Sequence, residues 1–128
     1  MIAPARRRAL ALLLATLPLG ARALMPGPQA RLEIEHLFVH LEASGCEFYR
    51  NGSWHDAAAA SAHLRGKYQA LLDKGLVGSA EDFIERGASR SSVSGQAYQV
   101  RCGSAPAIDS AAWFNAELLR ARAAAPSR

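Results

Sequence analysis

The sequence predicts an α+β fold: a three-stranded antiparallel sheet packed with about four helices and tied by one disulfide. Three observations predict it. Several stretches carry apolar residues at helical spacing. Two others, around Asn51-Gly52 and over 98–102, alternate as strands do. Each of those two holds one of the chain's two cysteines, Cys46 and Cys102.

Helix 1 is expected from Ala30 to Ala43, where Ile34, Leu37, Phe38 and Leu41 recur on one face and Gly45 supplies the stop. Met25 to Gln29 before it reads as a mobile Pro/Gly-rich leader. Cys46 to His55 reads as a hairpin. Asn51-Gly52 suits a type I′ turn, whose two central residues need positive φ. A two-residue turn pairs Arg50 with Ser53 and sets Tyr49 beside Trp54. Asn51-Gly52-Ser53 also spells a glycosylation acceptor, a match assigned to chance.

Asp56 is the expected cap of helix 2, which runs from Ala57 to about Lys74 with Leu64, Tyr68, Leu71 and Leu72 as its apolar stripe. Helix 3 starts at Ser79, with Asp82 completing a capping box and Phe83 and Ile84 as anchors. Residues 88–95 form a polar, serine-rich loop. Tyr98, Val100 and Cys102 alternate with Gln99 and Arg101, giving a third strand with one apolar face. Asp109 or Ser110 caps helix 4, which runs to about Ala124 and brings Trp113, Phe114 and Leu118 to the core.

The strand registers follow from the turn. If the third strand pairs antiparallel with the first and sets Cys46 opposite Cys102, then Phe48 meets Val100 and Arg50 meets Tyr98. The cysteines then share a non-hydrogen-bonded pair, where side chains approach most closely. Phe48, Tyr98 and Val100 should face the helices, and Tyr49, Trp54 and Arg101 the opposite side.

The first residues read as an export signal. Arg6, Arg7 and Arg8 precede an apolar run from Ala9 to Leu19, and Ala21-Arg22-Ala23 places small residues for cleavage before Leu24. The expected organisation is a signal peptide at 1–23 and one α+β domain at 24–128, located in the periplasm. The run is shorter than the roughly 20 residues a bilayer requires, so no transmembrane segment is expected in the mature chain. An ordinary secretory signal is preferred over twin-arginine export. Four of the 15 Lys+Arg lie in the leader, leaving 11 basic against 11 acidic residues in 24–128. That balance gives no basic stripe for nucleic acid. In an oxidising compartment the two cysteines are expected to pair.

A wider set of motifs runs along the mature chain. It comprises Ser44-Gly45-Cys46-Glu47-Phe48-Tyr49-Arg50-Asn51-Gly52, His63-Leu64, Lys67-Tyr68, Phe83-Ile84, Ala88-Ser89-Arg90-Ser91-Ser92-Val93-Ser94-Gly95, Tyr98, Cys102 and Trp113. In this the chain resembles the YfeK-like family, small periplasmic proteins of Gram-negative bacteria grouped as a domain of unknown function. Arg90 stands where that pattern leads one to expect Lys. The resemblance implies a periplasmic location and paired cysteines, and no activity.

The candidate binding residues are Arg50, Asn51, His63, Lys67, Arg90, Ser91, Ser92, Ser94, Gly95 and Tyr98. The loop serines and Gly95 offer hydroxyls and backbone N–H groups to an anion, and the basic residues add charge. The alternative is that the hydroxyls satisfy loop backbone and the carbonyl end of helix 3. No catalytic residue, metal or cofactor is assigned. No nucleophile motif frames a serine, and His36/His40 lack a further ligand in the sequence.

The expected function is a non-enzymatic binding or envelope-support module, a monomer whose partner is an unknown periplasmic protein or envelope component. One alternative is a small serine hydrolase using His63 with a loop serine. The other resembles periplasmic lysozyme inhibitors, on the short match Ser94-Gly95-x-x-Tyr98. The binding reading sets residues 89–95, Arg50, His63 and Lys67 on one surface patch, whereas the hydrolase needs His63 touching a loop serine in a concave pocket and the inhibitor needs the loop to protrude.

Overall fold

The structure is a computed structural model, described for residues 3–4 and 22–126. The arginines and apolar run expected as the core of an export signal lie outside the described residues. The elements, in order, are α1 (Pro28–Ala43), β1 (Glu47–Arg50), β2 (Ser53–His55), α2 (Ala57–Asp73), α3 (Ala80–Gly87), β3 (Gln99–Arg101), β4 (Ile108–Asp109) and α4 (Ser110–Ala124).

The turn chemistry sets the sheet. Asn51 and Gly52 take φ of 49° and 89°, and the hairpin pairs Arg50 with Ser53 and Tyr49 with Trp54. β3 lies antiparallel on the other side of β1, with Glu47, Phe48 and Tyr49 opposite Arg101, Val100 and Gln99. Continued outward, that register sets Cys46 against Cys102. The two form the disulfide, with Cα atoms 4.4 Å apart as in a non-hydrogen-bonded pair. Phe48, Tyr98 and Val100 are buried. Across the sheet Tyr49 packs edge-on against Trp54, and the Arg101 guanidinium lies 3.9 Å over the Trp54 ring.

The sheet has four strands, not the three expected, in the order β2-β1-β3-β4. Ile108 and Asp109 pair with Val100 and Gln99. Two residues are too few to show an alternation, so nothing in the local pattern marks β4. Asp109 does occupy the N-cap position of α4, but its side chain makes no capping bond. The chain is continuous from strand into helix there, and the Ser110 N–H donates instead to the Tyr98 carbonyl at 2.8 Å.

The segment expected to be a mobile leader is also tied down. Pro26 is buried, and its carbonyl accepts from Arg31 Nε at 3.1 Å. Leu24 pairs with Leu76, its N–H donating to the Gly75 carbonyl at 2.8 Å. Helix α1 therefore begins two residues early, at Pro28, whose fixed φ suits the first helical position.

The other caps follow their residues. Asp56 accepts from the Ala59 N–H and Ser79 from the Asp82 N–H. Asp82 reaches back one residue further than a capping box requires, to the Gly78 N–H. The four helices close over Phe83, whose ring centroid lies 5.2 Å from that of Phe38, 5.3 Å from Tyr68 and 6.4 Å from Phe114. Trp113 links this core to the sheet through an edge contact with Phe48. Among the described residues no helix is long and apolar enough to cross a membrane.

Ion pairs stitch the outer helix surfaces. Arg122 bonds Glu33 and Glu81, and Arg65 bonds Glu35 and Glu42. Between α1 and α4 the buried Glu117 accepts from Arg120 and contacts His36 at 2.7 Å and His40 at 3.7 Å. Burial holds His40 below its ordinary pKa, with the Glu117 charge opposing. The Arg120 hydrogen bond is the largest of the influences that lower the Glu117 pKa.

Candidate functional site

Four separate segments meet at the turn end of the sheet. β1 ends in Arg50, and the turn that follows presents Asn51. Helix α2 leaves the hairpin at Ala57 and sets His63 and Lys67, one turn apart, on the edge facing Tyr98. The loop between α3 and β3 closes the fourth side. The register explains the meeting: extended beyond the ladder, it sets Tyr98 opposite Arg50, so the chain entering β3 arrives beside the turn.

The loop holds its own shape through its serines. Ser89 Oγ donates to the Ile84 carbonyl at the end of α3, at 2.6 Å. The buried Ser91 Oγ accepts from the N–H groups of Val93 and Ser94, both at 3.2 Å. Backbone bonds join Ser91 N–H to the Gln96 carbonyl, Gly95 N–H to the Ser91 carbonyl, and Tyr98 N–H to the Ser89 carbonyl. Gly95, at φ 74°, turns the chain back. Asn51 then latches the loop to the hairpin. Its Nδ2 donates to Ser91 Oγ at 3.2 Å, and its Oδ1 accepts from Ser94 Oγ at 2.7 Å. Ser89, Ser91 and Ser94 thus do the scaffolding work that local hydroxyls can do. Ser92 is exposed, and among the described residues its hydroxyl has no partner.

Behind the loop, Arg50 Nη1 lies 3.2 Å from His63 Nδ1, and His63 Nε2 lies 3.2 Å from the Tyr98 hydroxyl. Lys67 Nζ donates to Tyr98 Oη at 3.1 Å and to the Arg90 carbonyl at 2.8 Å. A guanidinium has no acceptor, so His63 Nδ1 must accept and its proton must sit on Nε2. Nε2 then donates to Tyr98 Oη, which receives a second bond from Lys67. With both lone pairs occupied, the Tyr98 O–H is left to donate elsewhere. Lys67 likewise keeps a third N–H.

The electrostatics agree with a neutral imidazole. Burial, then Arg50, Lys67 and His55, hold His63 below its ordinary pKa. Burial and then Arg50 lower Lys67, and burial raises Tyr98 against a smaller opposing effect of Arg50. Among the described residues no carboxylate lies within 4 Å of Arg50 or Lys67 in an ion pair.

Arg50, Asn51, His63, Lys67, Ser91, Ser92, Val93 and Tyr98 line an open cleft of about 170 Å³. A narrower, mostly apolar slot, lined by Phe48, Ala60, Leu64 and also by His63, Arg50 and Tyr98, holds about 20 Å³. That is room for about one water.

The sequence-derived candidates divide accordingly. Arg50, Asn51, His63, Lys67, Ser91, Ser92 and Tyr98 reach the cleft. Ser94 and Gly95 support the loop. Arg90 gives its carbonyl to Lys67 and lines a second, open depression with Glu85 and Arg86, to which Ser91, Ser92 and Gly95 also contribute. Both His63 nitrogens are occupied, by Arg50 and Tyr98, and among the described residues no serine bonds to either. Ser94 Oγ donates to Asn51 and Tyr98 Oη accepts from His63 and Lys67, so both ends of the Ser94-Gly95-x-x-Tyr98 stretch are tied to the fold. Residue-by-residue reading missed the Glu117 cluster, because its carboxylate lies 81 positions from His36 and 77 from His40. Among the described residues no group of His, Cys, Asp and Glu is suited to a metal ion.

Fold and site together define a small disulfide-tied α+β domain with a latched serine loop over a cleft of hydrogen-bond donors. No curated protein and no solved structure matches the chain. A family model does match, over residues 28–122, and the chain belongs to that family, the family of unknown function DUF5329. The matched family does not carry the YfeK-like name.

Proposed function

We propose that this chain is a non-enzymatic periplasmic binding module, and that its site is the cleft between the Asn51-Gly52 turn, α2 and the serine loop. One observation carries the reading. The cleft leaves polar groups without partners: the Ser92 hydroxyl, the Tyr98 O–H and the third N–H of Lys67. These groups open onto the cleft, where a ligand can take the place of solvent. A recognition surface keeps some for its ligand.

The occupied histidine supports a binding role over a hydrolase, because a general base needs a free nitrogen facing its nucleophile. The leader sequence, the disulfide and the YfeK-like resemblance support a periplasmic location. The test is to pass envelope extract over immobilised oxidised protein, identify what is retained, and map it by amide chemical shifts. Retained material should shift residues 50, 63, 67 and 91–93 and be lost with Lys67→Met. Shifts confined to the α1–α4 surface, or retention indifferent to Lys67, would refute the reading.

A further inference from the structure

We propose that this cleft takes a tetrahedral oxyanion carrying two negative charges, of the phosphate-ester type, and that binding takes up one proton at His63. The inference rests on the binding reading above and names its ligand chemistry. The groups left free in the cleft are donors. Arg50 and Lys67 can only donate, the Tyr98 hydroxyl already accepts twice, and Ser92 can turn its proton inward. Arg50 and Lys67 are both cations, and no described carboxylate pairs with either. Two uncompensated charges at one cleft call for a dianion. A tetrahedral oxyanion offers acceptors in the several directions from which these donors arrive, which a flat carboxylate does not. The open cleft of about 170 Å³ has room for such a head group.

The proton follows from the Arg50–His63 contact. That contact exists only while Nδ1 is bare. An anion drawn between Arg50 and Lys67 competes for the guanidinium and frees Nδ1 to be protonated. The groups facing His63 are Arg50 from β1, His55 from β2, Lys67 on its own helix and Tyr98 beside β3. The cations among them oppose a charged imidazole in the empty cleft. A bound dianion offsets them, so each ligand, proton and anion, strengthens the other by the same factor.

Sulfate is the probe for linkage, because it remains a dianion across the range examined. Calorimetry on oxidised protein should show saturable sulfate binding at least about fivefold tighter at pH 5.5 than at pH 7.5. The heat should vary with buffer ionisation, as proton uptake requires. The His63 ring resonances should titrate at higher pH when sulfate is present. Lys67→Met and Arg50→Gln should lose binding, and His63→Gln should keep weakened binding with its pH dependence gone. Thermal melts of each variant show whether it folds, and the ring titration uses unaltered protein.

Inorganic phosphate against phosphatidate vesicles separates a free ion from one borne on an envelope lipid; either bound at this cleft supports the ligand class. Binding that ignores pH, or a pH dependence that survives His63→Gln, overturns the proton linkage. If sulfate, phosphate and phosphatidate all fail while another retained ligand shifts the cleft residues, the oxyanion is wrong and the binding module stands. If nothing shifts those residues, both fall.

Discussion

Glu117 is the carboxylate on which the packing of α1 against α4 depends, and Glu117→Gln is the change that isolates its charge. The side chain is buried, accepts from Arg120 and contacts His36 at 2.7 Å. The Arg120 hydrogen bond outweighs the cost of burial, and His36 adds to it, so the carboxyl falls from an ordinary 4.5 to about 2. Taken in full, that displacement is worth about 3 kcal/mol at neutral pH, at about 1.4 kcal/mol per pH unit. Arg120 is well exposed, and solvent screening reduces the expected figure to about 1–2 kcal/mol.

The sign is that of a depressed carboxyl. The stabilisation is present above pH 4.5 and disappears as pH falls through about 2. Glutamine keeps the shape and one acceptor but not the charge. In urea titrations the variant should be less stable than the parent by about 1–2 kcal/mol at pH 7. The two should converge as pH approaches 2. The gap should not narrow until the carboxyl itself protonates. A gap that stays constant from pH 7 to 2 would show that the loss lies in packing geometry and refute the electrostatic account.

Other changes probe the remaining parts of the fold. Cys46→Ser should expose one free thiol at Cys102 and lower stability by about 2–5 kcal/mol in denaturant titrations; the 56-residue separation alone accounts for about 4 kcal/mol of chain entropy. Asn51→Ala removes both latch bonds, and amide exchange at residues 91–95 should accelerate by about tenfold while α1 and α3 keep their protection. Tyr98→Phe leaves the His63 Nε2–H without its acceptor. It should cost about 1–2 kcal/mol and weaken any cleft ligand, as read by melts and titration in parallel.

Much of the fold was legible because local chemistry and tertiary packing agree. Asn51-Gly52 fixed a turn, the turn fixed which residues of β1 face β3, and that register carried Cys46 to Cys102 and Tyr98 to Arg50. The site was legible for the same reason, since register delivers the serine loop to the hairpin tip. What escaped has a common cause. β4 is two residues long and is made by pairing, with no pattern of its own. Leu24 is held by a carbonyl at the end of α2, which residues 22–29 do not announce. The Glu117 cluster joins helices at the two ends of the chain. The split within the serine loop, between hydroxyls that scaffold and the one that is free, depends on Asn51 reaching over from the hairpin.

The ion pairs on the helices have a consequence for the molecule's behaviour at a distance. Residues 24–128 carry equal numbers of acidic and basic groups, and Arg65, Arg120 and Arg122 are paired with carboxylates on the helices. Arg65 and Arg122 each serve two glutamates along α1 and its neighbours. Arg50 and Lys67 stand without carboxylate partners at the hairpin tip. Taken without residues 1–23, a body whose charges balance but which leaves two cations unpaired at one end is scarcely drawn toward a distant anionic surface. Within about one Debye length, roughly 8 Å at physiological salt, it is turned to present one face. Added salt should therefore act mainly by relaxing that orientation, and only secondarily on how often the protein arrives.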